Sequence, residues 1–392
     1  MTNETSCGMS LNCHKKPVAK NESASTVSNM RKHFQPISNL NQETSIVMKN
    51  HQLIRPLFAL AVAALFANAP TAQANSLAGP TAILQITFTG GGKRDFISTP
   101  FVRAAEKTGT VASVPSTNTI TLTDSQSATY ANNLFTPGTA SQDNKYILEI
   151  LDGPMIGLVA YIKSNTGNTL TVDEAELPTT GQLTGSKFAI RKDWTIESLL
   201  GAASASSPFA SGSSSASADN INVFNPKTQS YSTYFVRFSS GSYSWRDPIG
   251  NLSNHLRIPY GQGVQVLRRA AGNGSITLTG EVRTARLRRD IPNGKYGLIA
   301  NLSPSPTTLG DLNISITRAN NQNGDVVKVW NSSTGSWTAY NRRTSDGQFR
   351  DSGNLNNRDG IVIAPGRVVQ VVNKSGSDRK GLTAITADPR LP

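Results

Sequence analysis

Asp219 to Arg237 reads DNINVFNPKTQSYSTYFVR, and 106 positions further on Asp325 to Arg343 reads DVVKVWNSSTGSWTAYNRR. Asp219, Ile221, Val223, Phe224, Asn225, Thr228, Ser230, Tyr231, Tyr234 and Arg237 match Asp325, Val327, Val329, Trp330, Asn331, Thr334, Ser336, Trp337, Tyr340 and Arg343. In each stretch apolar and polar residues alternate with the two-residue period of a half-buried strand. The Asn-x-x-Thr between the two runs supplies turn chemistry, because an Asn side chain bonds its own backbone two residues on. Each stretch therefore predicts a β-hairpin that carries an aromatic pair. The match resumes at Asn251-Leu252 and Asn354-Leu355, then at Gly261, Val264, Gln265 and Val266 against Gly366, Val369, Gln370 and Val371. The second half reads as a duplicated β unit, with a first copy over 219–318 and a second over 319–392. Solenoids need roughly three or more repeats, so two copies predict two packed sandwiches or one pseudo-symmetric pair of sheets.

Outward from that unit, short alternating runs continue to dominate. Thr81–Thr89, Lys145–Ile150, Gly157–Ile162, Lys187–Arg191, Gly263–Leu267, Ser275–Thr279, Val326–Trp330 and Arg367–Val372 are the clearest predicted strands. Residues 109–122 and 157–172 resemble each other, and each reads as a hairpin with a polar tip, at Pro115–Asn118 and Ser164–Asn168. Only Thr195–Leu200 suggests a helix, with Thr195 as its N-cap. The expected fold class is all-β: a hairpin-rich N-terminal barrel or sandwich over 75–202, joined to the duplicated sandwich through 203–218. That joining stretch is rich in Ser and Ala, which offer little area to bury, and it reads as a flexible linker or a long surface loop.

The compartment is read from Pro56–Ala69, PLFALAVAALFANA, with Lys49 and Arg55 before it and Ala72-Gln73-Ala74 after it. Its 14 residues fall short of the about 20 that cross a bilayer, and a small-x-small cleavage pattern follows at once. Residues 48–74 are therefore expected to be a signal peptide cut after Ala74, with Ala72 and Ala74 as the cleavage residues. Residues 1–47 would be a disordered upstream extension, and Met48 the true start. The exported chain would be periplasmic, on the outer surface or extracellular, without a transmembrane span. It would also lose both cysteines, Cys7 and Cys13, and keep one histidine, His255. Thiol catalysis and Cys/His zinc sites are then excluded, and no cofactor is expected.

Charged residues make up 16% of the chain, against roughly a quarter in an average soluble protein. They are unevenly placed. Residues 75–218 hold 9 Lys+Arg and 11 Asp+Glu, whereas 219–392 hold 22 and 11, with 17 of the 22 being arginine. Arg268, Arg269, Arg283, Arg286, Arg288, Arg289, Arg342 and Arg343 are the candidate anion-binding residues, since a guanidinium grips phosphate or carboxylate bidentately. A solvated basic surface is the competing reading. Trp245, Trp330 and Trp337 are candidate aromatic platforms for sugar rings, against their use as core anchors. The oxygen-rich loops 320–325 and 351–360 lack calcium-loop spacing, and Asp173, Glu174 and Glu176 are the nearest approach to a paired-carboxylate arrangement.

The segment Phe188–Gly201 (FAIRKDWTIESLLG), the hairpin GLVAYIKSNTGNTLTV, Ala218-Asp219 and Ile363–Gly366 resemble a paralogous family of exported, functionally unassigned β-rich proteins of Verrucomicrobia-type bacteria. The resemblance implies export and architecture and carries no functional residue. The expected function is that of a non-catalytic envelope or surface protein. Its expected partners are anionic envelope polysaccharide or lipid head groups, with nucleic acid excluded by export. A carboxylate-dependent extracellular hydrolase is the alternative.

Overall fold

A computed structural model describes residues 80–384, apart from 140–141, 174–176, 179–180, 284–285, 313, 317–323, 352–355 and 377–378. The expected signal segment 48–74 with Ala72 and Ala74, the expected extension 1–47, and Glu174 and Glu176 lie outside the described residues.

The chain is all-β. It opens with β1 (Thr81–Phe88), β2 (Lys93–Ile97) and a two-residue β3 (Phe101–Val102). Then come β4 (Ala105–Ser116), β5 (Thr119–Asp124), β6 (Tyr146–Ile150), β7 (Val159–Thr166), β8 (Thr169–Val172) and β9 (Lys187–Lys192). One short helix follows, α1 (Ile196–Leu200), and the Thr195 side chain caps it by accepting the Ser198 N–H. Next are β10 (Asn220–Asn225), β11 (Ser230–Ser239), β12 (Ser242–Arg246), β13 (Val264–Arg268) and β14 (Gly274–Val282). The chain continues through β15 (Leu287–Ile291), β16 (Tyr296–Ala300), β17 (Thr307–Thr308), β18 (Val326–Asn331), β19 (Ser336–Arg342) and β20 (Phe349–Asp351). It finishes with β21 (Val362–Ile363), β22 (Val368–Val372) and β23 (Arg379–Ala384).

Strands β4 to β9 close into a barrel in the order β4-β5-β8-β7-β6-β9, sealed where β4 pairs with β9. Alternate residues of its strands point inward, so Val111, Ile120, Leu148, Ile162, Leu170 and Phe188 fill the lumen with side chains. The predicted hairpins at 109–122 and 157–172 are β4–β5 and β7–β8.

Two five-stranded sheets make up much of the rest, in the orders β12-β11-β10-β13-β2 and β20-β19-β18-β22-β16. Their registers run in parallel. Ile221 faces Tyr234 and Val266 in one, and Val327 faces Tyr340 and Val371 in the other. Phe96 faces Gln265 as Leu298 faces Gln370, so Arg94, Asp95, Phe96 and Ser98 hold the places that Tyr296, Gly297, Leu298 and Ala300 hold in the second sheet. The Asn turns also coincide: Asn225 Oδ1 accepts the N–H groups of Lys227 and Thr228, and Asn331 Oδ1 those of Ser333 and Thr334.

The strand pairing redraws the expected boundaries. β2 pairs with β13 at the edge of the first five-stranded sheet, and β1 and β3 flank β14 in a separate three-stranded sheet, so residues 81–102 pair with strands that follow the barrel in sequence and not with the barrel itself. The barrel is thus an insertion between β3 and β10. Residues 203–218 likewise do not span open solvent. Phe209 is buried and stacks on Phe88 at 5.1 Å, and Gly212 N donates to Val236 O at 3.1 Å. An aromatic side chain in a Ser-rich stretch anchors it in the core, and backbone hydrogen bonds hold it along its length.

The two sheets bond to each other reciprocally. Ser98 N donates to Gly366 O at 2.8 Å, and Ala300 N donates to Gly261 O at 3.0 Å. Gly261 and Gly366 both have positive φ, 65° and 70°, and the side chains of Leu287 and Ile86 occupy the space where a Cβ would stand. Glycine is required at both by conformation and by room.

Candidate functional site

Two seams join the five-stranded sheets, and they differ. At the first, the Tyr296 ring stacks on Phe224 at 4.6 Å. The Gln229 amide accepts from Tyr296 N and donates to Tyr296 O, both at 3.0 Å, and Gln262 Nε2 donates to Phe224 O at 3.3 Å. At the second seam, Arg94, Trp330, Gly335 and Arg367 stand in the matching places. Arg94 is exposed and Gly335 has no side chain to reach across. Phe96 packs there against Trp330 at 5.0 Å and Trp337 at 4.7 Å, and a pocket of ≈140 Å³ opens, lined by Asp95, Phe96, Trp330, Ser332, Ala364 and Arg367 among others.

Asp95 is 2% exposed, yet only one of its oxygens is used. Oδ1 accepts Phe96 N at 3.0 Å and lies 2.8 Å from Arg367 Nη1, while Oδ2 is buried without a hydrogen-bond partner. Arg367 is held from its other end, because Nη2 donates to Thr87 O at 2.9 Å. The indole N–H of Trp330 is also buried and unpartnered. Groups left in this state cost about 1–3 kcal/mol each unless something binds them. An unused acceptor and an unused donor beside an aromatic ring are the complement of hydroxyl groups on an otherwise apolar ring face.

A second polar cluster lies where the barrel meets the rest of the chain. Glu149 of β6 takes Arg191 Nε at 3.1 Å, Arg283 Nη2 at 2.9 Å and the Tyr260 hydroxyl at 3.2 Å. Arg191 Nη1 also donates to Glu281 Oε2 and to Arg103 O, each at 2.6 Å. Beside it, Asp193 is fully buried, accepts Trp194 N at 2.9 Å and lies 2.9 Å from Arg257 Nε. Burial pushes its carboxyl up to about 7, against the pull of Arg257, the Trp194 N–H, Arg289 and Arg103. These charges face one another, and the cluster fastens the inserted barrel to its host.

The candidate arginines do not form one face. Arg268 pairs with Asp219 at 2.9 Å and donates to Pro208 O, while Arg269 donates to Ala218 O at 2.9 Å. Both pin the Ser-rich loop. Arg283 is 2% exposed, over the Tyr260 ring at 5.0 Å. Arg288 Nη1 lies 3.3 Å from Met155 Sδ, Arg289 has two buried nitrogens, and Arg342 Nε donates to Gly347 O at 2.7 Å. Arg286 is exposed and Arg343 is half-buried. Their spacing in sequence placed them together, but strand pairing sends them to different partners.

Trp245 is fully buried, its indole N–H bonded to Gly201 O at 3.0 Å, so it is a core anchor and not a platform. Trp330 and Trp337 are half-buried at the second seam. His255 Nε2 lies 3.5 Å from Glu197 Oε2 on α1. Among the described residues no group of His, Cys, Asp and Glu is arranged to hold a metal ion. No described helix is long and apolar enough to cross a membrane. Asp95 and Arg367 were not singled out from sequence. Two signals pointed to them: Gly92-Lys93 at the start of β2 matches Gly294-Lys295 just before β16, and Arg367 follows the paired Gly366 where Gln262 follows Gly261.

Comparison of the chain with protein-family models, with curated proteins and with solved structures finds no match.

Proposed function

We propose that the chain is an exported, non-catalytic envelope or surface protein that binds a saccharide, and that its two five-stranded sheets are copies of one unit with the ligand seated between them. The observation that carries this reading is the pocket at the second seam, where Asp95 Oδ2 and Trp330 Nε1 both lack partners beside the Trp330 and Phe96 rings. Sugars are held in this manner, with an apolar ring face on an aromatic side chain and hydroxyls on fixed polar groups. Hydrolysis of a glycosidic bond uses two carboxylates across a cleft, whereas Asp95 is the single carboxylate among the described residues that line this pocket. The positive balance of residues 219–392 supplies long-range attraction for an acidic polymer, and hydrogen bonds in the pocket supply the contact.

The test is binding of the mature chain to purified envelope polysaccharide at low and high salt. Saturable binding that persists at high salt supports the reading. Binding that disappears with salt assigns the interaction to surface charge alone, and absence of binding at both salts refutes it.

A further inference from the structure

We infer that the pocket takes one neutral sugar ring, with one hydroxyl donating to Asp95 Oδ2 and another accepting from Trp330 Nε1, and that the chain holds one such site. The inference rests on the saccharide-binding reading and adds the ligand class, the contacts and the stoichiometry.

Size limits the ligand. A pocket of ≈140 Å³ suits a single ring or the end of a chain. Charge limits it further. The open acceptor is a carboxylate oxygen, which repels a phosphate or a uronate, and the charge of Arg367 is offset by its ion pair with Asp95 Oδ1 at 2.8 Å while Nη2 donates to Thr87 O, which leaves Nη1 buried without a hydrogen bond of its own. A neutral hydroxyl meets neither obstacle.

The first seam explains why the number is one. There Gly297 replaces Asp95, Phe224 replaces Trp330 and Gln262 replaces Arg367, so neither the carboxylate nor the indole N–H has a counterpart, and Gln262 Oε1 is left as the buried acceptor without a partner. Stacking of Tyr296 on Phe224 and the two bonds from the Gln229 amide fill what is open at the second seam. The same scaffold is closed by side chains on one side and left open with polar groups on the other.

The experiment is calorimetric titration of the full mature chain with glucose, N-acetylglucosamine and inorganic phosphate as separate probes. At least one sugar should bind with a stoichiometry of one, and phosphate should not. Ala364→Trp, on the exposed lip of the pocket, should abolish sugar binding without unfolding the chain, as checked by thermal melting. Trp330→Phe keeps the ring and removes the N–H, and Asp95→Asn removes the charge; each should weaken binding about tenfold. Gln262→Ala at the first seam should leave it unchanged. Two sugars per chain, phosphate binding in their place, or sugar binding untouched by Ala364→Trp would each overturn the site. If neither sugar binds while polysaccharide still does, the neutral-ring inference fails and the saccharide reading stands; if polysaccharide also fails to bind, both fall.

Discussion

Asp219 and Asp325 do the same work in the two five-stranded sheets. Both are fully buried, Asp219 Oδ1 accepts Arg269 N at 2.6 Å, and Asp325 Oδ1 accepts Lys374 N at 2.9 Å. Each carboxylate ties the start of the sheet's central strand to the chain leaving the neighbouring strand. Asp219 Oδ2 also accepts Ala210 N at 2.8 Å and pairs with Arg268 at 2.9 Å. Asp219→Ala should cost about 3–5 kcal/mol, because it leaves a largely buried guanidinium and several N–H groups without an anion. Urea unfolding measures this, and a loss below about 1 kcal/mol would show that the pair is replaceable.

Glu149 receives three donors from three different stretches of chain, so it couples the barrel to its host. Glu149→Gln should destabilise by about 3–5 kcal/mol and leave Arg191 and Arg283 without their shared carboxylate. Unfolding followed by two probes, one in the barrel and one in the sheets, should be coincident in the parent chain and separate in the variant.

Phe209 seats the Ser-rich loop, stacking on Phe88 and lying edge-on to Trp245 at 5.5 Å. Phe209→Ala should cost about 3–5 kcal/mol by opening a cavity and should make 203–218 the first site of limited proteolysis. In the parent chain that stretch should resist the protease. Early cleavage there in the parent would mean that the packing does not hold in solution.

The raised Asp193 carboxyl gives a pH dependence of definite sign. Between its ordinary value of 3.8 and about 7, the folded chain keeps a proton that the unfolded chain has released. Stability from this group therefore falls as pH rises through that window, by at most about 1.4 kcal/mol per pH unit, and is level above it. Thermal melting of the parent and of Asp193→Asn from pH 4 to pH 8 should show this slope in the parent minus variant difference. A flat difference would mean that Arg257 and Arg289 hold the carboxyl ionised throughout.

The proposed export makes a direct prediction about the terminus of the processed chain. Mass spectrometry of the protein from its native cells should find Asn75 as the first residue. A terminus upstream of Met48, or an intact 56–69 segment, would contradict a signal peptide cut after Ala74.

The local elements were legible because their causes are local. Thr81–Phe88 alternates, and its exposed and buried residues alternate with it. Thr195 stands three residues before Ser198, and their side chains make the reciprocal cap. Asn225 and Asn331 make the turns that their side chains favour. Half of the candidate pocket was legible too, since the matched pair Phe224 and Trp330 drew attention to Trp330 before its surroundings were known.

What the sequence by itself determined was therefore the period and the turns. These depend on residues within a few positions of one another. Only the tertiary structure decided which strands pair, because a two-residue period states which face is buried and not what covers it. Pairing of β1 with β14 removed 81–102 from the barrel, and pairing of β2 with β13 set Asp95 beside an arginine 272 positions away. The arginines were separated for the same reason: a guanidinium goes where a buried carboxylate or carbonyl awaits it, and neighbours in sequence need not share one.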